Sequence, residues 1–178
     1  RPIDRSRWWY TSGSIIHRPF GEGLEGVPKG PIRDVLEAIR AVEQELRLEP
    51  GAAVVYGGVI RGLLLGRTEA TDIDIVLRND LDLRGGDGSK ALAFLNAVER
   101  KLGLPEHSIL HGQAMIEGRL PLDFLGFYDP LRLQVSPKHG LEQFFEHIQE
   151  SFSTMWIRSD GVVVDPRGGV QDLKSGIV

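Results

Sequence analysis

Apolar residues along this chain alternate between two periods, and the changes of period mark out its elements. Ile32, Val35, Leu36, Ile39, Val42 and Leu46 recur at helical spacing behind Pro31, a residue suited to a first helical turn. The spacing predicts a helix from Pro31 to about Leu48, stopping ahead of Pro50. Ala52–Tyr56 is short, apolar and β-prone, and reads as a buried strand. Gly57-Gly58 breaks it, and a short helix follows over about Val59–Leu65. Asp72–Leu77 is the next strand, and Asp80–Gly88 reads as a loop. A second amphipathic helix spans about Ser89–Leu102, with Leu92, Leu95, Val98 and Leu102 on one side. Two strands near Ser108–Glu117 and Pro121–Phe127, separated by Glu-Gly-Arg, give a hairpin signal. A helix near Gly140–Gln149 and strands near Ser153–Arg158 and Val162–Val164 complete the pattern. Mixed in this order, the elements predict an α+β (α/β-like) domain: a mixed central sheet flanked by helices.

Residues 1–30 lack such periodicity and are rich in Gly, Pro, Ser and Arg. We read them as an N-terminal extension, with residues 31–178 as the domain proper. Trp8, Trp9 and Tyr10 suit docking of that extension on the domain surface better than base stacking. The chain begins at Arg1, so the expectation is a piece of a longer protein. No apolar run approaches a membrane span. With no cysteine, disulfides, thiolate metal sites and thiol nucleophiles are excluded. That fits a reducing compartment, so a cytoplasmic location is expected, with an organelle left open. The formal charge of −4 argues against a broad basic nucleic-acid face.

Chemistry concentrates at the second strand. Asp72 and Asp74 stand at i and i+2, so both project to one face while Ile73 turns to the other. Two carboxylates that close repel unless a cation lies between them. Paired divalent metals are the usual solution, and they serve phosphoryl displacement. Just upstream, Gly57-Gly58 at a strand-to-helix junction brings backbone N–H groups to an anion, beside the positive end of a helix. Arg61 points to the same region and Arg67 is within reach of a phosphate. Asp123, alternating with Leu122 and Phe124, is placed to complete a metal site or to take a proton. Glu117 is a weaker candidate, read as a hairpin-end charge. His107 and His111 are four apart but fall where a loop enters a strand, so they do not read as a helical metal pair, and His139 and His147 read as surface or packing residues.

This ordered set resembles the head domain of the tRNA nucleotidyltransferase (CCA-adding) and bacterial poly(A) polymerase family, within the DNA polymerase beta-like superfamily. That family reads Gly-Gly-x-Val-Arg-Asp-x-Leu-Leu-Gly-Arg, a spacer, then Asp-x-Asp. Gly57, Gly58, Arg61, Leu64, Leu65, Gly66, Arg67, Asp72 and Asp74 match it. Residues 165–177 look like the family's closing segment, Asp-Pro-x-Gly-Gly-x-x-Asp-Leu-x-x-Gly-x-Ile, and count as fold evidence. The resemblance implies that Asp72 and Asp74 hold Mg²⁺ or Mn²⁺. It implies a nucleoside triphosphate, ATP or CTP, as donor and an RNA 3′ end, of tRNA above all, as acceptor. Regions outside this chain would bind most of that RNA.

Three positions depart from the family pattern. Gly62 follows Arg61 where the family has aspartate, and the spacer before Asp72 is one residue longer than is common. The family's Arg-Arg-Asp-Phe-Thr segment aligns with Gln149-Glu150-Ser151-Phe152-Ser153, which removes two cations. Each lost charge-assisted contact is worth roughly 1.5–3 kcal/mol, so Arg78, Arg119, Arg158 or Lys138 would have to substitute. A transferase with another acceptor and a noncatalytic binding module are the alternative readings.

Overall fold

The structure, a computed structural model, describes residues 16–81, 88–137, 154–170 and 173. Trp8-Trp9-Tyr10, the predicted helix near Gly140–Gln149 with Lys138, His139 and His147, and Gln149–Ser153 lie outside the described residues. So do residues 82–87 of the predicted loop and most of 171–178.

Helix α1 (Pro31–Glu45) starts with proline in its first turn and buries Ile32, Val35, Leu36, Ile39 and Val42. Those are five of the six positions its periodicity picked out; the sixth, Leu46, lies just past the end of the helix and is exposed. Strand β1 (Ile16–His17) precedes it and β2 (Ala53–Tyr56) follows. Helix α2 (Val59–Leu64) leads to β3 (Ile73–Arg78) and a single 3-10 turn at Asn79–Leu81. Helix α3 (Ser89–Leu102) opens and closes on left-handed glycines, Gly88 and Gly103. Strands β4 (Met115–Ile116), β5 (Leu120–Asp129), β6 (Gln134–Pro137), β7 (Trp156–Arg158) and β8 (Val163–Val164) complete the described elements.

Among the described residues the strands form one mixed sheet in the order β1-β8-β7-β2-β3-β5-β4, with β6 also on β5. The β3–β5 pair is parallel and the other pairings are antiparallel. One sheet face, with Ala53, Val55, Ile73, Ile75, Leu77, Leu122 and Phe124, shares its core with α1, α2 and α3. The other carries Val54, Tyr56, Val76, Tyr128, Trp156 and Val164. Period-two alternation along β2 and β3 thus feeds two cores, and the central strands are buried on both sides.

Two expectations need correction. The strand predicted from Ser108 starts only at Met115. Residues 108–112 turn instead, because the buried Glu99 carboxylate accepts N–H bonds from His107 (2.9 Å) and Ile109 (2.8 Å) and so organises the backbone around itself. On α3 the buried face is Ala91, Phe94, Leu95, Ala97 and Val98, while Leu92 and Leu102 are half-buried. The hairpin itself is present, pairing Met115 with Pro121 and Ile116 with Leu120 across Gly118.

Buried carboxylates also tie helices to the sheet. Glu43 of α1 accepts from the Gly51 and Ala52 amides, both at 2.8 Å, and from the Ser159 hydroxyl. Asp165, fully buried after β8, accepts from Gly169 (2.7 Å) and Val170 (2.8 Å) and faces His17 of β1 at 3.4 Å. Ile16–His17, inside the segment read as an extension, therefore lies on the sheet edge.

Candidate metal and nucleotide site

The site forms where β2 ends and β3 and β5 begin. Antiparallel pairing puts Tyr56 opposite Asp74, and parallel pairing puts Asp74 beside Asp123. Paired residues on adjacent strands share a face, so Asp74 and Asp123 project together while Ile73, Leu122 and Phe124 sink into the helix-covered core. Asp72, just ahead of β3, joins them. One carboxylate oxygen from each of Asp72, Asp74 and Asp123 lies within 4.8 Å of the others. Sequence spacing brought two of these acids together; the parallel β3–β5 register adds the third.

Like charges at that separation resist ionisation. Burial pushes the Asp74 carboxyl up to about 7, and the Asp72 and Asp123 charges add to it. A hard cation removes that penalty, and three carboxylate oxygens suit Mg²⁺ or Mn²⁺ better than a soft metal. The donor set fits such an ion.

Beside the triad opens a cavity of about 380 Å³ lined by Gly58, Arg61, Arg67, Thr71 and Asp72, among others. Both arginines read from the sequence thus meet one carboxylate of the triad in a single recess. The glycine pair plays two parts. Gly57 donates its N–H to the Met155 carbonyl at 3.0 Å, so that amide is committed to the fold. Its φ of +105° and a Cβ position 3.9 Å from Asp74 Oδ2 show what glycine does there: it turns the chain beside the carboxylate. Gly58 is the one that faces the cavity. With only six residues in α2, little macrodipole stands behind it. At Gly62 a Cβ would stand 3.9 Å from the Arg67 Cβ, an ordinary contact, so packing tolerates a side chain there.

Among the described residues, the arginines named as substitutes do not line this cavity. Arg78 pairs with Asp80 (2.8 Å), Arg119 with Glu117 (3.2 Å) and Arg158 with Asp160 (3.1 Å). Arg78 and Arg158 line a different cavity of about 230 Å³, against Tyr128 and Trp156. Glu117 is an exposed turn residue at the hairpin.

One neighbour of the site escaped the sequence reading. Burial pushes the Tyr56 phenol up to about 12; the Arg167 guanidinium opposes that and the Asp74 carboxylate adds to it. Arg167 lay in a segment read for its fold alone. It follows β8, which the sheet order separates from β2 by β7 alone.

No family model matches the chain, and no curated protein matches it significantly. Solved structures do. One described as a tRNA-processing enzyme in apo form I superposes with a TM-score of 0.51 and 25% identity, covering 83% of this chain and 36% of that one. A CCA-adding enzyme in complex with CTP gives 0.52 and 22%, covering 86% of this chain and 33% of that one. The fold is a nucleotidyltransferase fold, shared with CCA-adding enzymes. A CCA-adding enzyme in complex with ATP adds a third example, at 0.51 and 22%. The chain spans about a third of the length of these proteins. Among the described residues no helix is long and apolar enough to cross a membrane.

Proposed function

We propose that this chain is the head domain of a metal-dependent nucleotidyltransferase that adds nucleotides from a triphosphate, ATP or CTP, to an RNA 3′ end. The acceptor reaction is of the tRNA CCA or poly(A) type. The observation that supports this most is the convergence of Asp72, Asp74 and Asp123 next to a recess bearing Gly58, Arg61 and Arg67.

In the reaction the acceptor's 3′-oxygen forms a bond to the α-phosphorus, the α–β bridging bond breaks, and pyrophosphate leaves with the bond electrons. Mg²⁺ or Mn²⁺, held by Asp72 and Asp74, would supply Lewis-acid charge to the phosphate oxygens. Asp123, on the outer flank of the triad, takes the proton of the attacking hydroxyl or serves as a third metal ligand. Arg61 and Arg67 hold phosphate oxygens in the recess, together with the Gly58 amide. Phosphoryl transfer rests mainly on such positioning and charge. Residues 31–178 form this head domain, and residues 1–30 an extension seated on the sheet edge through Ile16–His17. RNA is gripped mostly by regions beyond this chain, which fits its net charge of −4.

The test incubates the full-length protein with each labelled nucleoside triphosphate, Mg²⁺ or Mn²⁺, and either tRNA lacking its 3′ end or generic RNA. Addition of a short defined tail to tRNA, or of a long adenylate tail to RNA, supports the reading and separates its two forms. No extension of any RNA, alongside metal-dependent triphosphate binding, would move the function to another acceptor. No triphosphate binding at all would leave a noncatalytic module.

A further inference from the structure

The cavity of about 230 Å³ opens on the sheet face that carries Val54, Val76 and Trp156, away from the helices. Ile16, Tyr128, Leu133, Trp156 and Val164 give it an apolar and aromatic wall. Two cations stand in that wall, Arg78 closing β3 and Arg158 closing β7. Asp74 lies near the start of β3, so Arg78 is about 13 Å further along the same strand face. Between them Val76, and Tyr56 on the neighbouring strand, are buried. The cavity is thus separate from the triad.

The strand order brings both arginines to one tyrosine. Arg78 is the register partner of Tyr128 on β5. Arg158 arrives across β2: a Cβ placed on Gly51 would stand 3.1 Å from the Tyr128 hydroxyl oxygen and 3.8 Å from Arg158 Cδ. That hydroxyl donates to the Gly51 carbonyl and so serves the fold. Each guanidinium is held along one edge. Arg78 donates to Asp80 through Nε (2.8 Å) and Nη2 (3.0 Å), and Arg158 to Asp160 through Nε (3.1 Å) and Nη2. Nη1 of each lies outside its pair, and neither acid lines the cavity. The pairs fix the two side chains and leave the space beside them open.

We propose that this cavity is a second, metal-independent site that takes the phosphate of a nucleotide between Arg78 and Arg158, with the adjoining sugar or base against Trp156 and Leu133. Guanidiniums already held in one rotamer lose less freedom on binding an anion. A phosphate suits the pair better than a carboxylate, because its several oxygens accept from two donors at once. The volume is below the roughly 300–1,000 Å³ of pockets for drug-sized ligands, which limits the occupant to a single nucleotide or part of one. That nucleotide is either free or one residue of an RNA strand; the recognition chemistry is the same. The site does not depend on the transferase reading, which rests on the triad at the other end of the sheet.

Calorimetric titration of the full chain in EDTA, which keeps metal from the triad, tests this with AMP, with adenosine, and with a short oligoadenylate lacking terminal phosphates. AMP should bind and adenosine should not. Arg78→Gln and Arg158→Gln should each weaken AMP binding by roughly tenfold to a hundredfold, the range of one charge-assisted contact. Arg78→Lys and Arg158→Lys should recover part of the loss, because the charge stays while the planar fork is gone. Thermal melting of each variant checks that the fold is kept. Oligoadenylate binding that is weakened by the same variants assigns the site to an RNA strand, and AMP binding without it assigns the site to a free nucleotide. No AMP binding by the wild type, equal binding of AMP and adenosine, or an affinity for AMP unchanged in either glutamine variant overturns the site. Each of those results leaves the transferase reading standing, since that reading is tested with metal present.

Discussion

Asp74 is the residue whose surroundings say most about the site. Its carboxyl is pushed up to about 7 by burial and by the charges of Asp72 and Asp123, against 3.8 when unperturbed. Between those two values the folded chain holds a proton that the unfolded chain has released. Stability of the metal-free protein therefore falls as pH rises through that window, and is fully present below it. Calorimetry without metal should show the midpoint temperature dropping from pH 5 to pH 8 by at least about 3 °C more in the wild type than in Asp74→Asn. Millimolar Mg²⁺ at pH 8 should restore the wild type and leave Asp74→Asn unmoved. A pH dependence identical in the two proteins would remove the electrostatic basis of the metal site. The i, i+2 spacing of Asp72 and Asp74 was legible in the sequence because strand periodicity is rigid. The influence of Arg167 on the Tyr56 phenol was not, because it depends on a strand order that no local pattern encodes.

At the scale of elements, the fold rests on buried carboxylates that receive backbone amides, and these are harder to read from sequence than apolar stripes. Glu43 sits on the apolar face of α1, among Ile39 and Val42, and is fully buried. It accepts from two amides at the α1–β2 junction and from Ser159 after β7, locking α1 to the centre of the sheet. Removing the acceptor strands two buried N–H groups, each worth about 1–3 kcal/mol when unsatisfied. Glu43→Ala should thus lose roughly 2–5 kcal/mol in urea unfolding, and Glu43→Gln, which keeps a carbonyl oxygen, clearly less. Equal losses would show that cavity formation, not amide satisfaction, governs the site. Glu99 does the same for His107 and Ile109. That is why the apolar positions at Ile109 and Leu110 read as strand yet lie in turns. Helix α1 was legible nearly residue by residue because its stripe is long. On α3 the stripe was placed off-centre, since Ala91, Ala97 and Phe94 carry the burial that the leucine spacing suggested for Leu92 and Leu102.

At the scale of the molecule, the parallel β3–β5 pair inside an otherwise antiparallel sheet is what turns three scattered acids into one cluster. A hairpin connection would run β5 the other way against β3; the crossover through α3 makes it parallel and aligns Asp123 with Asp74. The class of fold was readable from element order, and the structural similarities agree with it at 22–25% identity. The likeness extends over about a third of each enzyme. The central claim is narrower: three carboxylates at one end of the sheet bind a divalent cation that a nucleotide shares. Electron paramagnetic resonance of free Mn²⁺, titrated against the chain with and without ATP, tests it most directly. The account predicts that wild type depletes the free-ion signal, more strongly with ATP present than ATP alone does, and that Asp72→Ala/Asp74→Ala does neither while melting as a folded protein. Equal depletion by wild type and double variant would contradict it.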